Sequence, residues 1–154
     1  MAIKIDFEKA YDRLNWHFLE KCCLEYGMSE KTISIIMQCV SSVSFKILWN
    51  NEKLDMFKPN RGLRQGDPLS PYLFVIAMDK LSQLIEKTVI KEKWIPMKAG
   101  QRGPQISHVL FVDDLLLFAE ATENQMKVAL ETLDKFGAAS GFKINAEKDI
   151  HSII

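Results

Sequence analysis

Residues Ile106–Ala119, ISHVLFVDDLLLFA, contain two apolar runs separated by two adjacent aspartates. Short apolar runs bounded by turn residues are typical of buried β-strands. Aspartate is a common turn residue because its carboxylate hydrogen-bonds to nearby backbone N–H groups. We therefore predict two antiparallel strands, Ile106–Val112 and Leu115–Ala119, joined by a turn at Asp113-Asp114.

Apolar periodicity, cap residues and turn residues predict the remaining elements on either side of this hairpin. Upstream we first expect a strand from Ala2 to Phe7 that ends near Asp6, a helix from Asn15 to Gly27 and a helix beginning at Ser29. A hairpin follows, with strands 44–49 and 53–57 around Asn50-Asn51. After it we expect a loop over 58–69, a helix beginning at Ser70 and an irregular segment 90–105. Downstream we expect a helix that begins with a Thr122/Gln125 capping box and ends at Gly141, then a strand over 142–145. This order predicts an α+β fold, with helices packed on one face of a mainly antiparallel sheet.

The composition is that of one globular domain. Of 154 residues, 47% are hydrophobic and 26% are charged, and 20 basic residues balance 20 acidic ones. This balance excludes a basic tail that binds nucleic acid by charge alone. The three cysteines lack the spacing of a zinc site or a disulfide framework, which favours an intracellular protein that is not secreted. No apolar run is long enough to span a membrane, and the N-terminus has no signal-peptide pattern.

Asp6 lies at the end of a second predicted strand, far from Asp113 and Asp114 in sequence. If the two strands are neighbours, three carboxylates meet at one edge of the sheet, where their repulsion favours a bound cation. Oxygen ligands select a hard cation such as Mg²⁺, and two such ions can promote phosphoryl transfer. Taken singly, Asp113 and Asp114 are equally explained as turn residues, and Asp6 is better explained as a residue that caps the following turn.

Four blocks of the sequence resemble the palm domain of reverse transcriptases from LINE-type (non-LTR) retrotransposons, of the kind abundant in plants. The blocks are Lys4–Arg13 (KIDFEKAYDR), Arg61–Phe74 (RGLRQGDPLSPYLF), Phe111–Phe118 (FVDDLLLF) and, more weakly, Ser140–Lys148 (SGFKINAEK). They occur in the family's order and at its spacing, and they cover nearly the whole chain. The resemblance implies a polymerase palm fold and an RNA-directed DNA polymerase activity, in which deoxynucleotides are added to a primer 3′-hydroxyl.

The resemblance also implies roles for single residues. Asp6 and Asp113 would bind two catalytic Mg²⁺ ions with help from the Phe7 carbonyl, and Asp114 would complete the carboxylate cluster; Mn²⁺ could replace Mg²⁺. Tyr11, Gln65 and Gly66 match the nucleotide pocket, in which Tyr11 would exclude a 2′-hydroxyl. Lys148 matches the general acid that protonates the departing pyrophosphate, with Lys143 as a weaker alternative. From the residues alone, Tyr11 is equally a core aromatic, Gly66 a turn glycine and Lys148 a solvated surface lysine.

The partners implied by the resemblance are an RNA template, a DNA primer and deoxynucleoside triphosphates, with no membrane. We expect residues 1–154 to be a truncated palm domain that lacks the fingers and thumb, from an element protein that acts in the nucleus. Two other interpretations stay open. The chain could be an inactive remnant that at most binds nucleic acid or a partner, or an unrelated metal-dependent phosphohydrolase, which leaves the block Arg61–Phe74 unexplained.

Overall fold

The computed structural model describes residues 1–100, 102–111, 114–143 and 150–152. For residues 150–152 it describes the backbone alone. Its helices are α1 (Ala10–Arg13), α2 (Trp16–Glu25), α3 (Glu30–Ser41), α4 (Ser70–Ile90) and α5 (Glu123–Ser140). Its strands are β1 (Ala2–Asp6), β2 (Leu48–Trp49), β3 (Glu52–Lys53), β4 (Met97–Lys98), β5 (Gln105–Ile106), β6 (His108–Phe111), β7 (Asp114–Phe118) and β8 (Ile150–Ser152).

Four strands form the central antiparallel sheet, in the order β6-β7-β1-β8. The first strand of the chain pairs with β7 along its whole length, from Ala2 opposite Phe118 to Asp6 opposite Asp114. Because side chains alternate between the two faces of a strand, this register also decides which residues share a face. The predicted adjacency of the strands that carry the aspartates is therefore confirmed for Asp6 and Asp114.

One face of the sheet is buried in the same hydrophobic core as the apolar residues of helices α2, α4 and α5. Its central residues are at most 2% exposed, and they are Ile3 and Ile5 of β1 with Leu115 and Leu117 of β7. The predicted apolar stripe of α4 is also buried: Phe74, Met78, Leu81 and Ile85. The predicted α+β class, with helices on one face of a mainly antiparallel sheet, is confirmed. None of the described helices combines the length and apolarity needed to cross a bilayer.

Local cap signals were predicted correctly at three helices. Asn15 accepts hydrogen bonds from the backbone of His17 and Phe18, and Ser29 accepts one from Thr32. Gly141 ends α5 in the left-handed conformation, with φ at 84°. Caps can be read from sequence because each involves residues only a few positions apart.

The structure corrects the prediction where long-range packing competes with local preference. Asp114 is the first residue of β7 and not part of the turn, because it pairs with both Phe111 and Asp6. Segment 90–105, predicted to be irregular, contains β4 and most of the small β4–β5 hairpin. Thr122 caps α5, but the Gln125 side chain bonds to the backbone of Ile95 and Lys93 and does not complete a capping box.

Two predicted strands are shorter than expected, and the described part of a third is not a strand. The 44–57 hairpin turns at Asn50-Asn51 as predicted, with φ of 47° and 65°, but its paired strands are two residues each, plus one bridge between Phe45 and Phe57. Phe142 and Lys143 are not in a strand. The rest of the predicted 142–145 strand lies outside the described residues.

Candidate active site at the end of the central sheet

Asp6 and Asp114 lie directly opposite each other on neighbouring antiparallel strands. Directly opposed residues have Cβ atoms about 4.5–5.5 Å apart, which brings the two carboxylates within reach of one cation. The alternation of β1 and β7 places both side chains on the face that the helices leave uncovered. Asp6 is exposed and Asp114 is half-buried, so both are accessible to a ligand.

Lys4 forms an ion pair with Asp114, one of these two carboxylates. Its Nζ lies 2.8 Å from Oδ1 of Asp114, and it stands two residues before Asp6 on the same face of β1. Both side chains of the ion pair are roughly half exposed, at 41% and 46%. The sequence analysis gave Lys4 no role, although the alternation of Lys4 and Asp6 along β1 was a signal that they share a face.

Two predicted site residues, Asp113 and Lys148, lie outside the described residues, so the third carboxylate and the general acid have no structural test here. Within residues 1–100, 102–111 and 114–143, no group of three or more His, Cys, Asp or Glu side chains is close enough to hold a metal ion. Phe7, the other predicted metal ligand, is 4% exposed and packs its ring against Phe136 and Phe142. Any contact of Phe7 with a metal would therefore use its backbone carbonyl, as the resemblance implies.

Tyr11 lies in α1, just after β1 ends, and stacks on Phe74 of α4. The ring centroids are 4.5 Å apart and the planes are inclined by only 6°. The ring is half-buried, so it is packed on one side and accessible on the other. The backbone carbonyl of Tyr11 also accepts a 2.7 Å hydrogen bond from Leu63, which ties α1 to the loop before α4.

The loop that carries Gln65 is held against the segment after β1. Gly62 donates to the carbonyl of Leu14 at 2.7 Å, and the Trp16 indole N–H donates to the carbonyl of Gly62 at 2.7 Å. Gly62 has a φ of 88°, and a Cβ there would lie 2.8 Å from the carbonyl oxygen of Asp12. Glycine is therefore required at position 62 both by conformation and by space.

Gln65 and Gly66 are both exposed on this loop, but their environments differ. Gln65 lines a cleft of 590 Å³ together with Asp12, Arg61 and Arg64. Gly66 has a φ of 83° with open space around its missing Cβ, so only its conformation requires glycine. Neither Asp6 nor Asp114 is among the described residues that line the cleft, so the structure does not bring the two predicted sets into one pocket.

Solved structures with the same fold are those of telomerases. The telomerase from Candida tropicalis, in complex with a fragment of telomeric RNA, superposes with a TM-score of 0.72 at 16% identity, over 96% of this chain and 25% of that one. The corresponding telomerase from Candida albicans gives a TM-score of 0.72 at 17% identity, over 99% and 28%. At these identities the likeness concerns the fold alone, which is that of a polymerase palm.

Sequence comparison then identifies the family. The family model "Reverse transcriptase (RNA-dependent DNA polymerase)" matches residues 1–151, so the chain belongs to the reverse transcriptase family. A Pol polyprotein of the type-2 retrotransposable element R2DM from Drosophila melanogaster is 30% identical over 94% of this chain and 13% of its own length. A Pol polyprotein of a type-1 retrotransposable element R2 from Popillia japonica is 28% identical over 97% and 20%.

These relatives confirm the LINE-type assignment made from the sequence blocks. A plant protein is also similar: an uncharacterized mitochondrial protein of Arabidopsis thaliana is 40% identical over 65 residues, which is 42% of this chain. The chain spans only 13% and 20% of the length of the two R2 polyproteins.

Proposed function

We propose that residues 1–154 form the palm domain with which a LINE-type reverse transcriptase adds deoxynucleotides to a primer 3′-hydroxyl along an RNA template. The observation that carries this proposal is the pairing of Asp6 with Asp114 on the uncovered face of the sheet, within two sequence blocks of the family. Copying of this kind for insertion into chromosomal DNA would take place in the nucleus, where we expect the longer element protein to act.

The residues fit a site for divalent cations. Two opposed carboxylates and a nearby backbone carbonyl form a set of oxygen donors that suits Mg²⁺ or Mn²⁺. Asp6, Asp113 and the Phe7 carbonyl would hold two such ions. When bound, the ions would activate the primer hydroxyl and neutralise charge on the triphosphate.

The chain's own residues would then position the substrates. Tyr11, held flat against Phe74, would pack beneath the incoming sugar and leave no room for a 2′-hydroxyl. Gln65 and Gly66 would contact the nucleotide or the template base from the loop before α4, and Lys148 would protonate the departing pyrophosphate. Because polymerase catalysis depends chiefly on positioning and electrostatic stabilisation, each of these contacts should contribute to the rate.

The test is primer extension by the purified chain on an RNA template, with Mg²⁺ and four deoxynucleotides. Asp6→Asn should reduce extension by at least about 10²-fold, because it removes a negative ligand from the metal site. Asp55→Asn is the matched control, since Asp55 is exposed and lies outside the candidate site. Equal extension by the Asp6 and Asp55 variants would contradict the proposal.

Metal binding gives a second measurement that does not depend on turnover. Mn²⁺ should broaden the NMR signals of the amides near Asp6 and Asp114 in the wild-type chain, and this effect should weaken in Asp6→Asn. A folded chain that binds Mn²⁺ but does not extend a primer would be the inactive remnant. A chain that neither binds Mn²⁺ nor extends a primer would refute the assignment of the site.

The role of Tyr11 has its own test. Tyr11→Ala should raise the incorporation of ribonucleotides relative to deoxynucleotides by about 10-fold or more, while Tyr11→Phe should keep the discrimination. The Phe variant is the control because it preserves the stacked ring. Unchanged sugar discrimination in Tyr11→Ala would leave Tyr11 as a packing residue only.

A further inference from the structure

A second, smaller cleft lies where three separate parts of the chain meet. Its volume is 220 Å³, and it is lined by Arg13, Asn15, Asn60, Arg61 and Gly141. These residues come from the end of α1, the cap of α2, the loop before α4 and the end of α5. The sequence analysis assigned no function to Arg13, to the two asparagines or to Arg61 in its own right.

Backbone hydrogen bonds hold the walls of this cleft together. Asn15 donates to the carbonyl of Ser140 at 2.8 Å, and Gly62 donates to the carbonyl of Leu14 at 2.7 Å. Gly141, at a φ of 84°, lies so close that a Cβ would be 2.6 Å from the carbonyl oxygen of Arg13. The three segments are therefore in fixed positions, and the cleft is a built feature of the fold and not a gap between mobile loops.

The chemistry of the lining suits an anion. Two arginines and two asparagines line the cleft, and no acidic residue is among the lining residues in the described part of the chain. Glu8, which is not among those lining residues, accepts a 2.9 Å hydrogen bond from one Nη of Arg13. The planar guanidinium has five N–H donors, which match the geometry of a phosphate group.

Arg13 has an unmet hydrogen-bonding requirement. Its Nε is buried and has no hydrogen-bond partner in the described part of the structure, although the side chain as a whole is 21% exposed. A buried N–H group without a partner costs free energy, so a shift of the Arg13 side chain that brings this group to an acceptor would be favourable. Glu8 is half exposed and holds only one Nη, so an incoming anion could displace it or bind beside it.

Arg61 connects this cleft with the larger one. It lines both the 220 Å³ cleft and the 590 Å³ cleft that contains Gln65. We call the smaller cleft the Arg13–Arg61 cleft. Because it shares Arg61 with the larger cleft and has a basic and amide lining, we infer that it binds a phosphate group of the nucleic acid or nucleotide that the larger cleft receives. This inference rests on the proposed function for the identity of that ligand. Two sources carry the same chemistry: the backbone of a strand and the triphosphate of a free nucleotide.

The experiment measures binding by the full 154-residue chain in EDTA, so that a metal site cannot contribute. The probes are a mixed-sequence single-stranded RNA oligonucleotide, detected by fluorescence anisotropy, and inorganic tripolyphosphate, detected by the shift of the Arg13 Nε–H signal in NMR. Arg61→Met and Arg13→Met remove the two charges. Arg102→Met is the matched control, because Arg102 is exposed in the β4–β5 loop and is absent from the described lining of the cleft.

The Arg61 and Arg13 variants should each weaken binding roughly 10-fold, and each should reduce the slope of log K against log salt by about 0.7 for every strand phosphate released. Arg102→Met should bind like the wild-type chain. If Arg13→Met unfolds because the ion pair between Arg13 and Glu8 is lost, binding by Arg61→Met alone decides the question. Binding that is equal in the Arg61 and Arg102 variants would overturn the inference, and so would a wild-type chain that binds neither probe.

The two sources of phosphate give different competition results. If a strand occupies the cleft, the oligonucleotide should shift the Arg13 Nε–H signal, and millimolar tripolyphosphate should not displace the strand. If a free triphosphate occupies it, tripolyphosphate alone should shift that signal and the strand should not. Both results support a phosphate site. Because no metal is present, failure of this inference is distinct from failure of Mg²⁺-dependent extension, which tests the proposed function.

Discussion

The two faces of the central sheet are made by the same strands but have opposite properties. On the face under the helices, Ile5 and Leu115 are opposite each other and at most 1% exposed. On the other face, at the next pair of residues in the register, Asp6 is opposite Asp114, and Lys4 forms an ion pair with Asp114 at 2.8 Å. The contrast separates stability from chemistry: substitutions on the inner face should change unfolding, and those on the outer face should change metal and substrate binding.

The largest expected effect is on the inner face. Leu115→Ala should lower the free energy of unfolding by about 2–5 kcal/mol, because it removes buried methyl groups and leaves a cavity under α4. Leu116→Ala is the matched control on the outer face, where the side chain is only half-buried, and should cost less than about 1.5 kcal/mol. Urea denaturation of both variants measures the difference, and equal losses would show that the two faces are not distinct in stability.

A smaller effect should come from the titration of His108, which lies on the inner face of the edge strand β6. His108 of β6 is opposite Leu117, and its Nε2 and Nδ1 lie 2.8 Å from Ser82 Oγ and 2.9 Å from Ser107 Oγ. Burial lowers the pKa of His108 below its usual value of 6.5, against the opposite influence of Glu86 and Asp79. The unfolded chain therefore takes up the proton first as the pH falls.

The unfolding free energy should thus decrease as the pH falls from about 6.5 to the lowered pKa of folded His108, and this contribution should be fully present above pH 6.5. His108→Gln should remove that part of the pH dependence when urea unfolding is measured from pH 7.5 to 5. His17→Gln, at a histidine whose side chain is 71% exposed, is the control. A pH profile unchanged in His108→Gln would mean that the folded and unfolded chains protonate this histidine alike.

A still smaller effect is expected from the outer-face ion pair. Lys4→Met should lower the unfolding free energy by about 0.2–1 kcal/mol at low salt, because half-exposed ion pairs contribute little and salt screens them. The difference from wild type should shrink in 0.5 M NaCl. Lys98→Met, at an exposed position in β4, should show no such salt dependence. A loss above about 2 kcal/mol would show that Lys4 is a structural residue of the fold.

The smallest effect on stability should come from a substitution of Asp6, the residue whose loss should reduce primer extension most. Asp6→Asn should change the unfolding free energy by no more than about 0.5 kcal/mol, since it removes an exposed charge that lies opposite another carboxylate. A slight gain would fit relief of that repulsion. Thermal unfolding measured beside primer extension sharpens the contrast. A large loss of stability would mean that the two faces are coupled.

Much of the fold could be predicted because its signals are local. Asn15, Ser29 and Gly141 are recognisable caps, and the alternation of apolar and charged residues in β1 identifies its buried residues. The errors arose where distant packing decides the outcome. Gln125 abandons its expected capping box to bond to Ile95 and Lys93, 30 and 32 positions away, and short periodic runs could not show this.

For the candidate site, the family, the residue types and the positions of Asp6 and Asp114 at strand ends could be predicted from the sequence, because they depend on contiguous blocks of residues. Only the tertiary structure decided the pairing of Asp6 with Asp114 and the contact of Lys4 with Asp114, since strand order and register depend on the whole core. The Arg13–Arg61 cleft was beyond sequence reasoning for the same reason. Its walls come from positions 13–15, 60–61 and 141, and no local pattern connects segments that only packing brings together.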